Sequence, residues 1–202
     1  MELVTNTRTS PSSTHLEGRE LVLDEARQLF FQHGYAEVSM QQIANAARMT
    51  KAALYYHFQN KEDLFVSVAM MEVQAFVGAM QAALEDGETF QDRLCNVGFF
   101  IMQENKTEMG RLMHDLEQHV RPELRVMLDS GKDQVFDIAL PYFREAMDDG
   151  LIAAETADVA MKVFIGMVLG QVELLEIGCP VDIDAEKLVP FIVETYLKGL
   201  AP

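Results

Sequence analysis

Residues 38–61 read VSMQQIANAARMTKAALYYHFQNK, and this stretch decides how the rest of the chain is understood. Met40, Ile43, Ala44 and Ala47 recur at helical spacing and form one apolar stripe. Ser39 with Gln42 three residues on is a capping-box pattern that starts this helix. A short break at Arg48-Met49 leads to Thr50, which caps a second helix reaching about Phe58. Within it, Leu54 and Phe58 lie four apart on one face, while Ala52, Ala53 and Tyr56 fall on the opposite face. Two alanines there leave no bulk to hold the backbone off a surface that it meets. Tyr55, Tyr56 and His57 place polar tips at the margins. The stretch contains Arg48, Lys51 and Lys61 and no acid.

That absence of acid stands out against the whole. The 202 residues carry a net charge of −16. Residues 1–62 hold six basic and seven acidic residues, a net of −1, so residues 63–202 carry −15. A local positive face on an acidic body can still meet an anionic partner, because salt confines each field to about 10 Å. The acidic body opposes docking in the wrong orientation. The first twenty residues hold no apolar block of the secretory kind, and residues 159–177, read as the most apolar segment, are interrupted by Lys162, Gln171, Glu173 and Glu176. Two cysteines far apart, Cys95 and Cys179, suit a reduced, cytoplasmic protein with no membrane association.

Outward from the central stretch, the chain reads as helix after helix, with no period-two run, so an all-α fold is expected. Residues 1–16 are rich in Ser and Thr and read as a disordered arm. A first helix runs over 17–33 with Val22, Ala26, Leu29 and Phe30 on one face, and Gly34 ends it. Asn60 caps a long fourth helix over 61–85, with Glu62 and Asp63 in its first turn. Further helices are expected at 89–105, 108–120, 122–148, 156–178 and 184–199, with Pro141 kinking or dividing the seventh. The domain division is therefore an arm at 1–16, a three-helix head at 17–62 and a helical-bundle body at 63–202.

Across residues 26–64 the chain resembles the tetracycline-repressor (TetR) family. The resemblance rests on Ala26 and Phe30, then Gly34-Tyr35, Ser39, Ile43-Ala44, Ala47, the run from Thr50 to Phe58, and Asn60-Lys61-Glu62-Asp63-Leu64. It implies an N-terminal helix-turn-helix that reads double-stranded DNA, followed by a ligand-binding and dimerisation domain. By position it gives Ser39 and Gln41 to phosphate or a groove edge, Thr50, Lys51, Ala52 and Ala53 to bases or their flanking phosphates, and Tyr55, Tyr56, His57 and Lys61 to the phosphate backbone, with a helix C-terminal cap as the equal alternative for His57. Two departures matter. Arg48 stands where the family usually has Gly; a left-handed backbone there costs Arg roughly 1 kcal/mol, while offering a cation beside DNA. Ala52 replaces a common Gly and adds a methyl that can meet a thymine methyl.

The resemblance places a small-molecule pocket in the body, and the Met- and Phe-rich composition suits an apolar or aromatic ligand. Candidate lining residues are Phe76, Met80, Phe99, Met102, Met113, His114, Glu117, Phe136 and Phe143; plain core packing is the competing role for most of them. Asp115 and His119, four apart, suggest a polar hook, but a second pair to complete a metal site is missing. Helix 156–178 is apolar on more than one side and must be covered on both. Val163, Phe164, Met167, Gly170 and Leu174, with Phe191 and Tyr196 from the last helix, are the candidate homodimer interface. No Gly-rich phosphate loop, zinc-type Cys/His cluster or nucleophile elbow is visible, so neither enzyme, cofactor nor resident metal is expected. The sequence thus points to a regulator, a repressor released from a near-palindromic operator by its effector. The alternative is a helical small-molecule or metal-binding bundle without DNA binding.

Overall fold

The computed structural model describes residues 11–104, 109–176 and 184–201. Among these it holds nine α-helices and no strand. The head comprises α1 (Pro11–His33), α2 (Met40–Ala46) and α3 (Lys51–His57). The body follows as α4 (Lys61–Glu85), α5 (Phe90–Glu104), α6 (Met109–His119), α7 (Pro122–Asp148), α8 (Ala157–Glu176) and α9 (Ala185–Gly199).

Local chemistry sets the boundaries. Ser39 Oγ accepts the Gln42 N–H at 3.3 Å, and Gln42 Oε1 accepts the Ser39 N–H at 2.8 Å, closing the capping box of α2. Thr50 Oγ1 accepts from Ala53 N–H at 3.1 Å, and Asn60 Oδ1 accepts from Asp63 N–H at 2.8 Å, starting α3 and α4. Gly34, at φ 81°, ends α1 with its N–H on Phe30 O.

Two boundaries differ from the sequence expectation. α1 begins at Pro11, six residues earlier than expected, because proline's fixed φ and missing N–H suit the first helical position. The rest of the expected arm, residues 1–10, lies outside the described residues. Pro141 does not divide α7, which runs unbroken from Pro122 to Asp148. Pro141 and Asp137, whose carbonyl loses its partner, are both exposed, so water can take the place of the missing N–H.

Burial separates two cores joined by one helix. The first gathers Val22, Ala26 and Phe30 of α1, Ile43 and Ala44 of α2, Leu54 of α3, and Leu64, Phe65 and Val68 of α4. Leu112 and Leu116 of α6 and Val120 complete it from the body. The second holds Met80 and Leu84 of α4, Leu94 and Ile101 of α5, Phe143 of α7, Met161, Phe164 and Val168 of α8, and Ile192 and Val193 of α9. α4 thus has its first turns in one core and its last turns in the other. It is also long and apolar enough, by length and composition alone, to cross a membrane. Sequence reading passed over it in favour of residues 159–177. Here its apolar surface serves the two cores, and Glu72 at its middle pairs with Arg27 of α1 at 2.5 Å.

Candidate nucleic-acid interface

α2 and α3 share the first core through Met40, Ile43, Ala44, Leu54 and Phe58, which turns the remaining faces outward. On α3, Lys51, Ala52, Tyr55 and Tyr56 are exposed, Tyr56 to 75%, and Ala53 is half-buried. The Lys51 ammonium lies 5.9 Å over the Tyr55 ring, so charge and aromatic form one surface. Ser39, Gln41 and Thr50 are exposed beside it, and the Gln41 amide donates to Asn45 Oδ1 at 2.9 Å. Asn45 was not singled out from the sequence; its i, i+4 spacing from Gln41 was the available signal.

Arg48 occupies the left-handed region at φ 53°. Met49 N–H bonds to Ala44 O at 2.9 Å and Arg48 N–H to Asn45 O at 3.1 Å, the two bonds of a Schellman motif. Arg48 therefore sits where glycine is the unstrained choice, with its side chain exposed at the turn. Arg48→Gly is expected to raise stability by about 1 kcal/mol, or about 2–4 °C in thermal midpoint. The same change is expected to weaken DNA binding and lower its salt slope by about one for each head that meets the duplex. Paired melting and binding measurements check both signs; a variant that binds DNA as well as the parent would remove Arg48 from the interface.

Two expected contact residues are engaged within the chain. His57 is half-buried at the end of α3 against Gly18 of α1, where an added Cβ would come within 3.4 Å of Nε2. Lys61 donates to Ala36 O at 3.3 Å and lies 4.2 Å over the Tyr35 ring. Burial lowers its pKa, with Asp115 and Glu37 acting in the opposite direction. The ammonium thus braces the α1–α2 loop.

That loop is clasped by the body. Asp115 of α6 accepts the Tyr35 N–H at 2.8 Å, and the His119 ring stacks on Tyr35 with centroids 5.2 Å apart. The polar pair noted at residues 115 and 119 therefore faces the head. In the first turn of α4, Glu62 accepts the Arg121 N–H at 2.9 Å and both its oxygens accept from Arg121 Nε. These hydrogen bonds from Arg121 backbone and side chain hold the Glu62 carboxyl below its ordinary range. Its contribution to stability is present above the ordinary carboxylate range and is lost as pH falls through that lowered value.

In the body, Met80, Met102 and Phe143 are buried, and Phe76, Phe99 and Phe136 are half-buried around the same core. Phe76 and Phe100 rings lie 4.9 Å apart. His114 and Glu117 are exposed on the outer side of α6, and the Met113 side chain lies outside the described residues. Apart from the Tyr196 hydroxyl, the described buried side chains line this interior with hydrocarbon, sulfur and aromatic faces. An open groove of about 340 Å³ lies elsewhere, between Thr89–Arg93 and Tyr142–Asp149, and none of the candidate lining residues borders it.

α8 carries two apolar faces. Ala160, Met161, Phe164 and Val168 are buried in the body, while Val159, Val163 and Leu174 are exposed on the other side, in line with Gly166 and Gly170. Met167 is half-buried. On α9, Phe191 is 63% exposed. Phe164 and Tyr196 belong to the chain's own core: the Tyr196 hydroxyl donates to Ala160 O at 2.9 Å, and burial raises its pKa, keeping it protonated.

Residues 22–68, the segment that holds this surface, match the sequence profile of the bacterial regulatory proteins of the tetR family. The transcriptional activator FasR of Mycolicibacterium smegmatis is 28% identical over 151 residues, covering 72% of this chain and 66% of that protein. The transcriptional repressor AcnR of Corynebacterium glutamicum is 32% identical over 81 residues, 36% of this chain and 43% of that protein. The chain thus matches less than two thirds of the length of each. A crystal structure from Mesorhizobium loti, provisionally placed among TetR-family regulators, superposes with a TM-score of 0.78 at 19% identity, covering 93% of this chain and 98% of that one. That likeness concerns the fold, while the head carries the family's sequence: residues 22–68 of this chain match the tetR family of bacterial regulatory proteins.

Proposed function

We propose that the chain is a cytoplasmic, homodimeric, sequence-specific DNA-binding regulator that acts as a repressor and is released by a small apolar or aromatic effector. The observation that carries this is the outward face of α3 with its surroundings. Lys51, Ala52, Tyr55 and Tyr56 are exposed together, Arg48 is exposed at the turn, and residues 38–61 contain no acid. Small side chains allow close approach to base edges, and the cations and phenols meet phosphates on either side. The names of the relatives include an activator and a repressor. The repressor reading follows from the simplest action of such a head, which is to occupy DNA until an effector lowers its affinity.

The second apolar face of α8, with Phe191 of α9, supports a two-fold dimer, since such a face needs cover. A dimer presents two heads at a fixed separation and so reads two half-sites. Phe191→Asp is expected to shift the protein to monomer at micromolar concentration and to weaken DNA binding at least about tenfold, because one head makes half the contacts. Sedimentation and binding titrations check this; an unchanged sedimentation coefficient would count against this face.

Effector response would run through the clasp. α6 contributes Leu112 and Leu116 to the head's core, while Asp115 and His119 hold Tyr35. A ligand packed against the apolar body would bias the position of α6 and, through it, the tilt of the head. The test is retention of duplex DNA from upstream of the protein's own gene at low salt; no retention would count against the proposal.

A further inference from the structure

The outer face of α2 carries an amide pair that the DNA reading leaves unexplained. Gln41 Nε2 donates to Asn45 Oδ1 at 2.9 Å, and both side chains are exposed. An exposed i, i+4 pair adds only a few tenths of a kcal/mol to a helix, so stability is a weak reason for it. Its geometric effect is larger. A free glutamine amide turns end for end and offers donor and acceptor in either order. Where the bond to Asn45 uses the Nε2 hydrogen remote from Oε1, it fixes the order and leaves the other hydrogen beside Oε1 for a base. A donor and acceptor side by side complement adenine's N7 and N6 amino group in the major groove. Guanine presents two acceptors there and cytosine a lone amino donor, so neither matches.

Resting on the DNA-binding reading above, we propose that Asn45 is a positioning residue for sequence recognition: it orients the Gln41 amide so that α2 selects adenine at one position of each half-site. Arg48, exposed at the turn that follows α2, supplies charge to the adjacent backbone.

The experiment is selection from a randomised pool of duplex DNA by the full chain, with sequencing of the enriched fraction for parent, Asn45→Ala, Asn45→Asp and Gln41→Ala. Asn45 is exposed and alanine is the better helix former, so Asn45→Ala folds. The parent is expected to enrich adenine about tenfold at one position of each half-site, and Asn45→Ala and Gln41→Ala to flatten it to about twofold. Asn45→Asp keeps the acceptor and is expected to keep the preference while lowering affinity at all sequences through its charge. A purely structural role for Asn45 moves overall retention and leaves the enriched motif intact; that result, or a motif flattened equally by Asn45→Asp, overturns the inference alone. A parent that enriches no sequence overturns the DNA-binding reading and this inference with it.

Discussion

Ala52→Glu is expected to lower DNA affinity at least about 100-fold while leaving thermal stability unchanged or slightly raised. Ala52 is exposed at the second position of α3, and no acid lies in that helix's first turn. A carboxylate near a helix N-terminus interacts favourably with the macrodipole, by about 0.3–1 kcal/mol. At the DNA surface the same carboxylate faces phosphates at close range and fills the space that the methyl group leaves open. Like-charge juxtaposition at an interface costs several kcal/mol, and about 2.7 kcal/mol is already 100-fold. Opposite signs for folding and binding separate an interface role from a structural one. Anisotropy titration and a melting curve on the same preparation measure both; undiminished binding would place α3 outside the interface.

Phe58→Ala is expected to act by the other route, destabilising the head by about 3–5 kcal/mol. Phe58 is 2% exposed within the first core, and the Arg19 guanidinium lies 5.0 Å over its ring. Truncation leaves a cavity in the first core at the end of α3 and removes the contact with Arg19 of α1. At about 2–4 °C per kcal/mol for a chain of this size, the midpoint falls by about 6–20 °C. DNA binding falls with it, but Phe58→Leu restores much of both, which Ala52 variants do not. Chemical denaturation followed by circular dichroism checks the magnitude; a loss under about 1 kcal/mol would mean that Phe58 is not a support of the head.

These two residues show what was legible beforehand. Leu54, Phe58 and the alanines could be sorted into inner and outer faces because helical geometry is local. The caps at Ser39, Thr50 and Asn60 were legible for the same reason, each depending on a residue three positions away. The two-sided α8 was visible as apolar periodicity wider than one face, although nothing local separates its inward Phe164 from its outward Val163. The clasp was not legible. Tyr35 and Asp115 are 80 residues apart, Glu62 and Arg121 are 59 apart, and each half reads alone as a solvated polar residue. Lys61 looked outward-facing in an acid-free run, yet the α1–α2 loop offers it a carbonyl and an aromatic ring. The length of α4 was legible from its cap at Asn60 onward, but its membership of two cores was not, since that depends on partners distant in sequence.

On the proposed function, a positively charged local surface on an acidic chain binds DNA through its phosphates. The most direct test is the salt dependence of binding by the full chain to a duplex from upstream of its own gene. With Arg48 and Lys51 exposed on each of two heads, about four phosphates are neutralised, so log affinity should fall against log salt with a slope of about −4 or steeper. A slope near zero, or no binding at the lowest salt, would contradict the claim.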